Sequence, residues 1–155
     1  MNVPKLPLSD VERKRLRALK IKLVQIADYS PVELASSLDI TEDRARLLSA
    51  LALFQRVPSI GPSLAQNLVE LGFRSLEDIR DGGESGEELI NRLEKLHGVW
   101  MDPCVEDVMR LAVHHAYHPE SDKQWWDFTS ERKAYRKEHG YPADRPARAW
   151  HVIIK

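Results

Sequence analysis

The sequence has a single cysteine, Cys104, among its 155 residues, so no disulfide can form within the chain. No apolar run approaches the roughly 18 residues that mark a membrane-spanning helix. The first residues, MNVPKLPLSD, also lack the apolar core of a secretory signal. These absences exclude a disulfide-stapled domain, and they predict a cytoplasmic protein that does not associate with a membrane.

The chain also lacks a strong overall charge, because its net charge is −1. That value argues against a surface that is basic throughout, as in a general nucleic-acid coat protein. The charge is unevenly distributed, with +5 over residues 1–27, −10 over residues 28–122 and +4 over residues 123–155. Basic ends around an acidic middle can focus an anion on one face, and the same pattern is also typical of solvated surface.

Residue types that carry catalysis or bind metals occur without the spacing that either role needs. His114 and His118 have the spacing of two ligands on one helix, but Cys104 comes earlier and on a different face. That cysteine also has no histidine placed to activate it as a nucleophile. Acidic residues beside it suit a helix N-terminus better than a catalytic set: Asp102, Glu106 and Asp107. The sequence therefore predicts no enzyme, no metal site and no cofactor.

Helical periodicity runs through most of the chain, interrupted by capping and stop residues. Ser9 and Glu12 form a capping box that starts a helix predicted to extend to about Asp28. Asp102 starts the most apolar helix, which we expect to be the most buried. The pattern predicts an all-α, single-domain bundle of seven to eight helices. Residues 1–128 are expected to form the domain, and residues 129–155 to pack on it as a basic, aromatic helix and tail.

Basic side chains gather on one side of the first predicted helix. Arg13, Arg17 and Lys20 share a face beside the apolar stripe that begins at Leu16. A phosphate-contacting helix has this arrangement, and so does an ordinary amphipathic helix in water.

A short turn between two helices is the most completely specified stretch of the sequence. Pro58 to Gly61 forms the turn, and Pro62 occupies the first helical position, where its missing N–H costs nothing. Gly72 is placed to end the helix in a left-handed conformation. A helix N-terminus attracts a phosphate without reading a base, because its N–H groups are unpaired and carry partial positive charge. The stretch predicts a phosphate-binding turn, or else a tight corner used only for packing.

The pattern V-P-x-I-G-P-x-x-A-x-x-L-x-x-x-G-F in this stretch resembles the helix-hairpin-helix motif of sequence-independent DNA-binding proteins. Gly61 stands at the second glycine of that motif and Ile60 at its apolar position, while Ser59 stands where the first glycine is expected. The resemblance implies that the backbone N–H of Gly61, with those just after it, faces a DNA phosphate. It places DNA contact at five residues: Ser59, Ile60, Gly61, Pro62 and Ser63.

The similarity continues downstream through L-E-D-I, D-P-C-V-E-D-V and W-W-D. Over residues 54–128 the chain resembles a small family of helix-hairpin-helix proteins named after a pathogenicity locus. The resemblance implies a helix-hairpin-helix (SAM-like) core and DNA binding, and it implies no established reaction.

Two functional hypotheses follow. The first is non-enzymatic, sequence-independent binding of duplex or branched DNA by the turn, helped by the basic ends of the chain. The alternative is a protein–protein interaction module of the same fold without DNA contact, which the acidic middle favours. The aromatic residues Trp125 and Trp126 suit stacking on single strands, but we favour the interpretation that they clamp the tail onto the core. Residues 151–154 are expected to pack as an apolar end.

Overall fold

A computed structural model describes residues 3–151 of the chain. Over that range it contains eight α-helices and two 3₁₀ helices, so the all-α prediction is confirmed. No helix in this range is both long enough and apolar enough to cross a membrane. The chain folds as two compact units that meet in sequence between Ser75 and Leu76.

The N-terminal unit contains four α-helices and one 3₁₀ helix: α1 (Asp10–Ala18), the first 3₁₀ helix (Leu23–Asp28), α2 (Pro31–Leu38), α3 (Glu42–Phe54) and α4 (Pro62–Glu70). Its core is apolar and includes fully buried side chains from four of these elements: Ile26, Leu34, Leu38, Leu48, Phe54 and Leu68. The capping box of Ser9 and Glu12 is present as predicted. Arg44 binds the Glu12 carboxylate at 2.9 Å, and this hydrogen bond lowers the pKa of Glu12.

Helix α1 ends at Ala18, so the prediction that it extends to Asp28 is wrong. A Schellman motif closes it, in which the Ile21 N–H donates to the Leu16 carbonyl at 2.9 Å and the Lys20 N–H to Arg17 at 3.1 Å. Lys20 takes a left-handed φ of 57°. It therefore lies beyond the helix that carries Arg13 and Arg17, and the predicted basic face is broken. Periodicity misses this break because the 3₁₀ helix that follows also directs apolar side chains inward.

The Schellman motif of α1 gives a stability prediction. We expect Lys20→Gly to stabilise the protein by about 1 kcal/mol, because glycine adopts a left-handed φ without the steric cost of a Cβ. Gly72, at φ 100°, occupies the same position at the end of α4, so Gly72→Ala is the matched reverse change and should cost a similar amount. Urea denaturation of both variants measures the effect. A Lys20→Gly protein no more stable than wild type would contradict the prediction.

The C-terminal unit contains four α-helices and the second 3₁₀ helix: α5 (Leu76–Gly82), α6 (Gly86–His97), α7 (Pro103–Tyr117), the 3₁₀ helix (Trp125–Phe128) and α8 (Thr129–His139). Helix α7 is central and packs against all the others. Met109 and Leu111 on this helix are almost completely buried, as the apolar pattern predicts. His115, which is not part of that pattern, is buried as well.

Helix α8 has no fully buried residue, and ion pairs are its main contacts with α7. Arg132 Nε lies 2.6 Å from Asp107 Oδ1, and Arg136 Nε lies 2.9 Å from Glu106 Oε1. Glu106 is only 2% exposed and Asp107 is fully buried. The interpretation of these carboxylates as simple helix N-terminal acids is therefore incomplete, since they bind the arginines of a helix more than 20 residues away.

The tail after α8 is held against α6 and the segment that follows it. Arg145 binds Glu94 at 2.9 Å, and the Trp150 N–H donates to the Trp100 carbonyl at 2.8 Å.

In the second 3₁₀ helix the buried ring is Phe128, whereas Trp126 is 58% exposed. The interpretation of both tryptophans as a clamp is therefore wrong for Trp126. Of the predicted apolar end at residues 151–154, all but His151 lies outside the described residues.

Candidate nucleic-acid interface

The turn between α3 and α4 is fixed to the core by two apolar side chains. Val57 and Ile60 are both buried, and the Ile60 N–H donates to the Val57 carbonyl at 3.1 Å. Ile60 therefore anchors the turn and has too little exposed surface to contact a ligand through its side chain. Pro62 and Ser63, just after the turn, are exposed.

The two positions at which the motif has glycine, Ser59 and Gly61, differ in backbone conformation. Ser59, where the motif has its first glycine, takes the left-handed conformation with φ 71°. Gly61 has an extended backbone with φ −93° and ψ −171°, which any residue adopts. A Cβ added to Gly61 would meet nothing within 4 Å. The fold therefore requires no glycine at position 61, and the space over its Cα is open to an approaching ligand.

The N-terminus of α4 lacks a side-chain cap. Helices α1, α2, α3, α6 and α7 each begin with a Ser, Thr or Asp side chain that accepts a backbone N–H. Gly61 cannot cap α4 in this way. Among residues 3–151, neither the Gly61 N–H nor the Ser63 N–H donates a hydrogen bond to another group of the chain. They are oriented as donors at the positive end of the helix dipole.

A cation that the sequence reasoning missed lies beside this N-terminus. Lys5 lines a cavity of about 430 Å³ together with Pro62 and Ser63. Its backbone is held by the Gln55 side chain, which accepts the Lys5 N–H and donates to the Lys5 carbonyl, both at 2.9 Å. No local pattern marks Lys5, because this contact joins residues 50 positions apart.

The other basic residues predicted to contact DNA lie elsewhere in the unit. Arg13 and Arg17 are exposed on α1 and line a different cavity, which shares no lining residue with the cavity beside the turn. Lys20 lies in the turn after α1 and lines neither cavity. The structure thus brings Lys5 beside Pro62 and Ser63 and places Arg13 and Arg17 at a second site.

Two arginines close to the turn in sequence bind other groups of the same chain. Arg56 binds Asp28 and the Val24 carbonyl, each at 2.9 Å, and its hydrogen bond lowers the pKa of Asp28. Arg74 donates to the Val69 carbonyl at 3.1 Å. Positive charge available to a ligand beside the turn therefore comes mainly from Lys5.

Cys104 is held in its protonated form. Its thiol and its N–H both donate to Asp102 Oδ1. Burial, together with that carboxylate, raises the pKa of the Cys104 thiol to about 11, so the thiolate needed for nucleophilic attack is scarce at neutral pH. His114 Nε2 lies 2.9 Å from Ser121 Oγ. In the part of the chain that the structure describes, no three His, Cys, Asp or Glu side chains converge as a metal site would require.

These features define an all-α protein with an uncapped, solvent-accessible helix N-terminus after a tight turn and with no assembled metal centre in its described residues. The family model for Cdd1, described as pathogenicity locus, matches residues 48–134. The chain belongs to this family, which confirms the family resemblance seen in the sequence. Mitomycin resistance protein McrB of Streptomyces lavendulae is 31% identical over 75 residues, or 48% of this chain and 69% of the relative. No solved structure matches the chain.

Proposed function

We propose that the protein binds DNA without sequence preference and holds a backbone phosphate at the N-terminus of α4. The observation that carries the proposal is the open, uncapped N-terminus at Gly61, where two N–H groups lack an acceptor within the described chain. Anions bind such N-termini because unpaired donors and the helix dipole act together. The family membership and the resemblance of the turn to a helix-hairpin-helix support the proposal.

In this proposal each residue of the turn has a separate role. Ser59 sets the left-handed bend, and Ile60 anchors the turn in the core. The N–H groups of Gly61 and Ser63 donate to phosphate oxygens, and Lys5 adds a positive charge from the neighbouring cavity wall. Because all these contacts go to the backbone of the nucleic acid, binding is independent of sequence. Arg13, Arg17 and Lys20 remain predicted contacts for phosphates further along the strand.

The test replaces Gly61 with aspartate. Gly61→Asp should leave the protein folded and as stable as wild type or slightly more stable, because aspartate is a favourable N-cap. Its carboxylate would occupy the phosphate position, so we expect DNA affinity to fall by 10-fold or more, since a hydrogen bond to a charged group contributes about 1.5–3 kcal/mol. Fluorescence anisotropy with two duplexes of unrelated sequence, at two salt concentrations, measures the affinity.

Gly61→Asn is the matched control for this test, because it has the same shape without the charge. Asparagine should weaken DNA binding less than aspartate does. Lys5→Gln should reduce the salt dependence of the DNA affinity by about one released counterion. A folded Gly61→Asp protein that binds duplex DNA as well as wild type would refute the proposed function.

A protein interaction module without DNA contact is the second candidate. The internal pairing of Arg56 and Arg74 favours it, because that pairing leaves little positive charge beside the turn. Under this alternative, the wild-type protein shows no duplex binding at low salt. A constant protein partner would then be recovered after nuclease treatment.

A further inference from the structure

The second cavity of the N-terminal unit has a volume of about 460 Å³ and lies between the segment before α1, α1 itself and the first 3₁₀ helix. This volume is within the range of small-molecule sites. Its apolar lining is entirely aliphatic: Val3, Leu8, Leu16, Ile21, Leu23 and Val24. The charged residues of its lining, among the residues described, are all cations: Arg13, Arg17 and Lys22.

Among the described residues, the cations of this cavity have no counterion. Arg13 and Arg17 lie one turn apart on α1, and neither forms an ion pair within the described chain. Arg15, between them, points elsewhere and pairs with Asp39 at 3.6 Å. The Schellman motif at Lys20 reverses the chain, so that Lys22 returns to the same cavity. Three positive charges therefore surround an aliphatic hollow without a carboxylate to neutralise them.

We propose that this cavity binds an amphiphilic anion, namely a short unbranched aliphatic chain that ends in a carboxylate. The aliphatic walls accept a hydrocarbon chain and offer no aromatic ring on which a nucleobase could stack. The guanidinium groups of Arg13 and Arg17 match a carboxylate in geometry and charge. Binding of this anion is separate from DNA binding and does not depend on it. Arg13 and Arg17 are nevertheless also predicted to contact phosphates further along a DNA strand.

Calorimetric titration of the full chain with octanoate, compared with 1-octanol and butanoate, tests the proposal. Octanoate should bind saturably at one site, at least 10-fold more tightly than 1-octanol, which lacks the charge, or butanoate, which is too short. The Arg13→Gln, Arg17→Gln double variant should lose the preference for octanoate over 1-octanol. Lys14→Gln is the matched control, because Lys14 is an exposed cation of α1 that does not line the cavity.

Variants that fill the cavity with a larger side chain distinguish octanoate binding from DNA binding. Ile21→Phe, or Val24→Phe if the first variant is unstable, should weaken octanoate binding by at least 10-fold and leave DNA binding unchanged. Gly61→Asp should instead weaken DNA binding and leave octanoate binding unchanged. Absence of saturable octanoate binding, equal affinity for 1-octanol, or binding unaffected in a folded Phe variant would each overturn the proposal. So would self-association that Ile21→Phe abolishes, because it would assign the cavity to a second copy of the chain.

Discussion

Gly86→Ala is expected to destabilise the C-terminal unit by about 3 kcal/mol, the upper part of the range for inserting a methyl group into a packed site. Gly86 is the first residue of α6, and it packs directly on the backbone of α7. A Cβ at this position would lie 2.5 Å from Arg110 Cγ, 2.7 Å from its Cα and 2.8 Å from its N. Because backbone atoms cannot move aside as a flexible side chain can, α6 would have to shift away from α7.

That shift would also disturb the ion pairs of Arg110, whose side chain is only 7% exposed. Arg110 Nη2 lies 3.3 Å from a carboxylate oxygen of Glu87 on α6 and 3.2 Å from one of Glu106 on its own helix. Urea denaturation of Gly86→Ala measures the loss. Gly61→Ala is the control, since its Cβ meets open space and the change should cost less than about 1 kcal/mol. A Gly86→Ala protein as stable as this control would show that α6 and α7 do not approach so closely.

Asp107→Ala is expected to cost about 3–5 kcal/mol, the range for removing one partner of a buried ion pair. Asp107 is fully buried and accepts hydrogen bonds from Arg132 Nε at 2.6 Å and from Thr129 Oγ1 at 2.9 Å. Its removal leaves the Arg132 guanidinium, 12% exposed, without its counterion. Since α8 has no buried residue of its own, we expect the helix to detach before the rest of the unit unfolds.

Hydrogen exchange across residues 129–139, together with denaturation, distinguishes detachment of α8 from global unfolding. Glu131→Ala is the matched control, because its carboxylate is 63% exposed and pairs with Arg110 at 3.3 Å. Because the Glu131 carboxylate is largely in solvent and Arg110 keeps Glu87 and Glu106 as partners, losing this pair should cost about 1 kcal/mol or less. Adding Arg132→Ala to Asp107→Ala should recover part of the loss, as the unpaired charge is then gone. If Asp107→Ala costs no more than Glu131→Ala, the ion pair does not hold α8.

Short-range signals were the part of this fold that the sequence could predict. The capping box of Ser9 depends on a contact three residues away, and it is present. Asp102 also caps the helix that the sequence predicts to begin there. The end of α1 was missed because lysine occupies a position where glycine is the usual signal. Periodicity cannot show such a break when the next segment is also amphipathic.

Long-range polar contacts were the part that the sequence could not predict. Arg132, Arg136 and Arg145 read as a basic, DNA-facing segment, yet each binds a buried carboxylate 25 to 51 residues away. Lys5 is the reverse case, since an unremarkable residue is carried to the candidate phosphate site by a hydrogen bond to Gln55. Charge alone does not reveal whether a side chain meets a partner in its own chain or remains available to a ligand.

The attachment of α8 by arginine–carboxylate pairs has a calorimetric consequence. Exposure of apolar surface raises the heat capacity, whereas exposure of polar surface lowers it. Separation of α8 from α7 exposes the methylene stems of Arg132 and Arg136 together with their charged ends, so the two effects offset each other and the heat capacity should change little. The free energy of this local opening therefore varies almost linearly with temperature. Cooling, which weakens the apolar cores, leaves this contact largely intact.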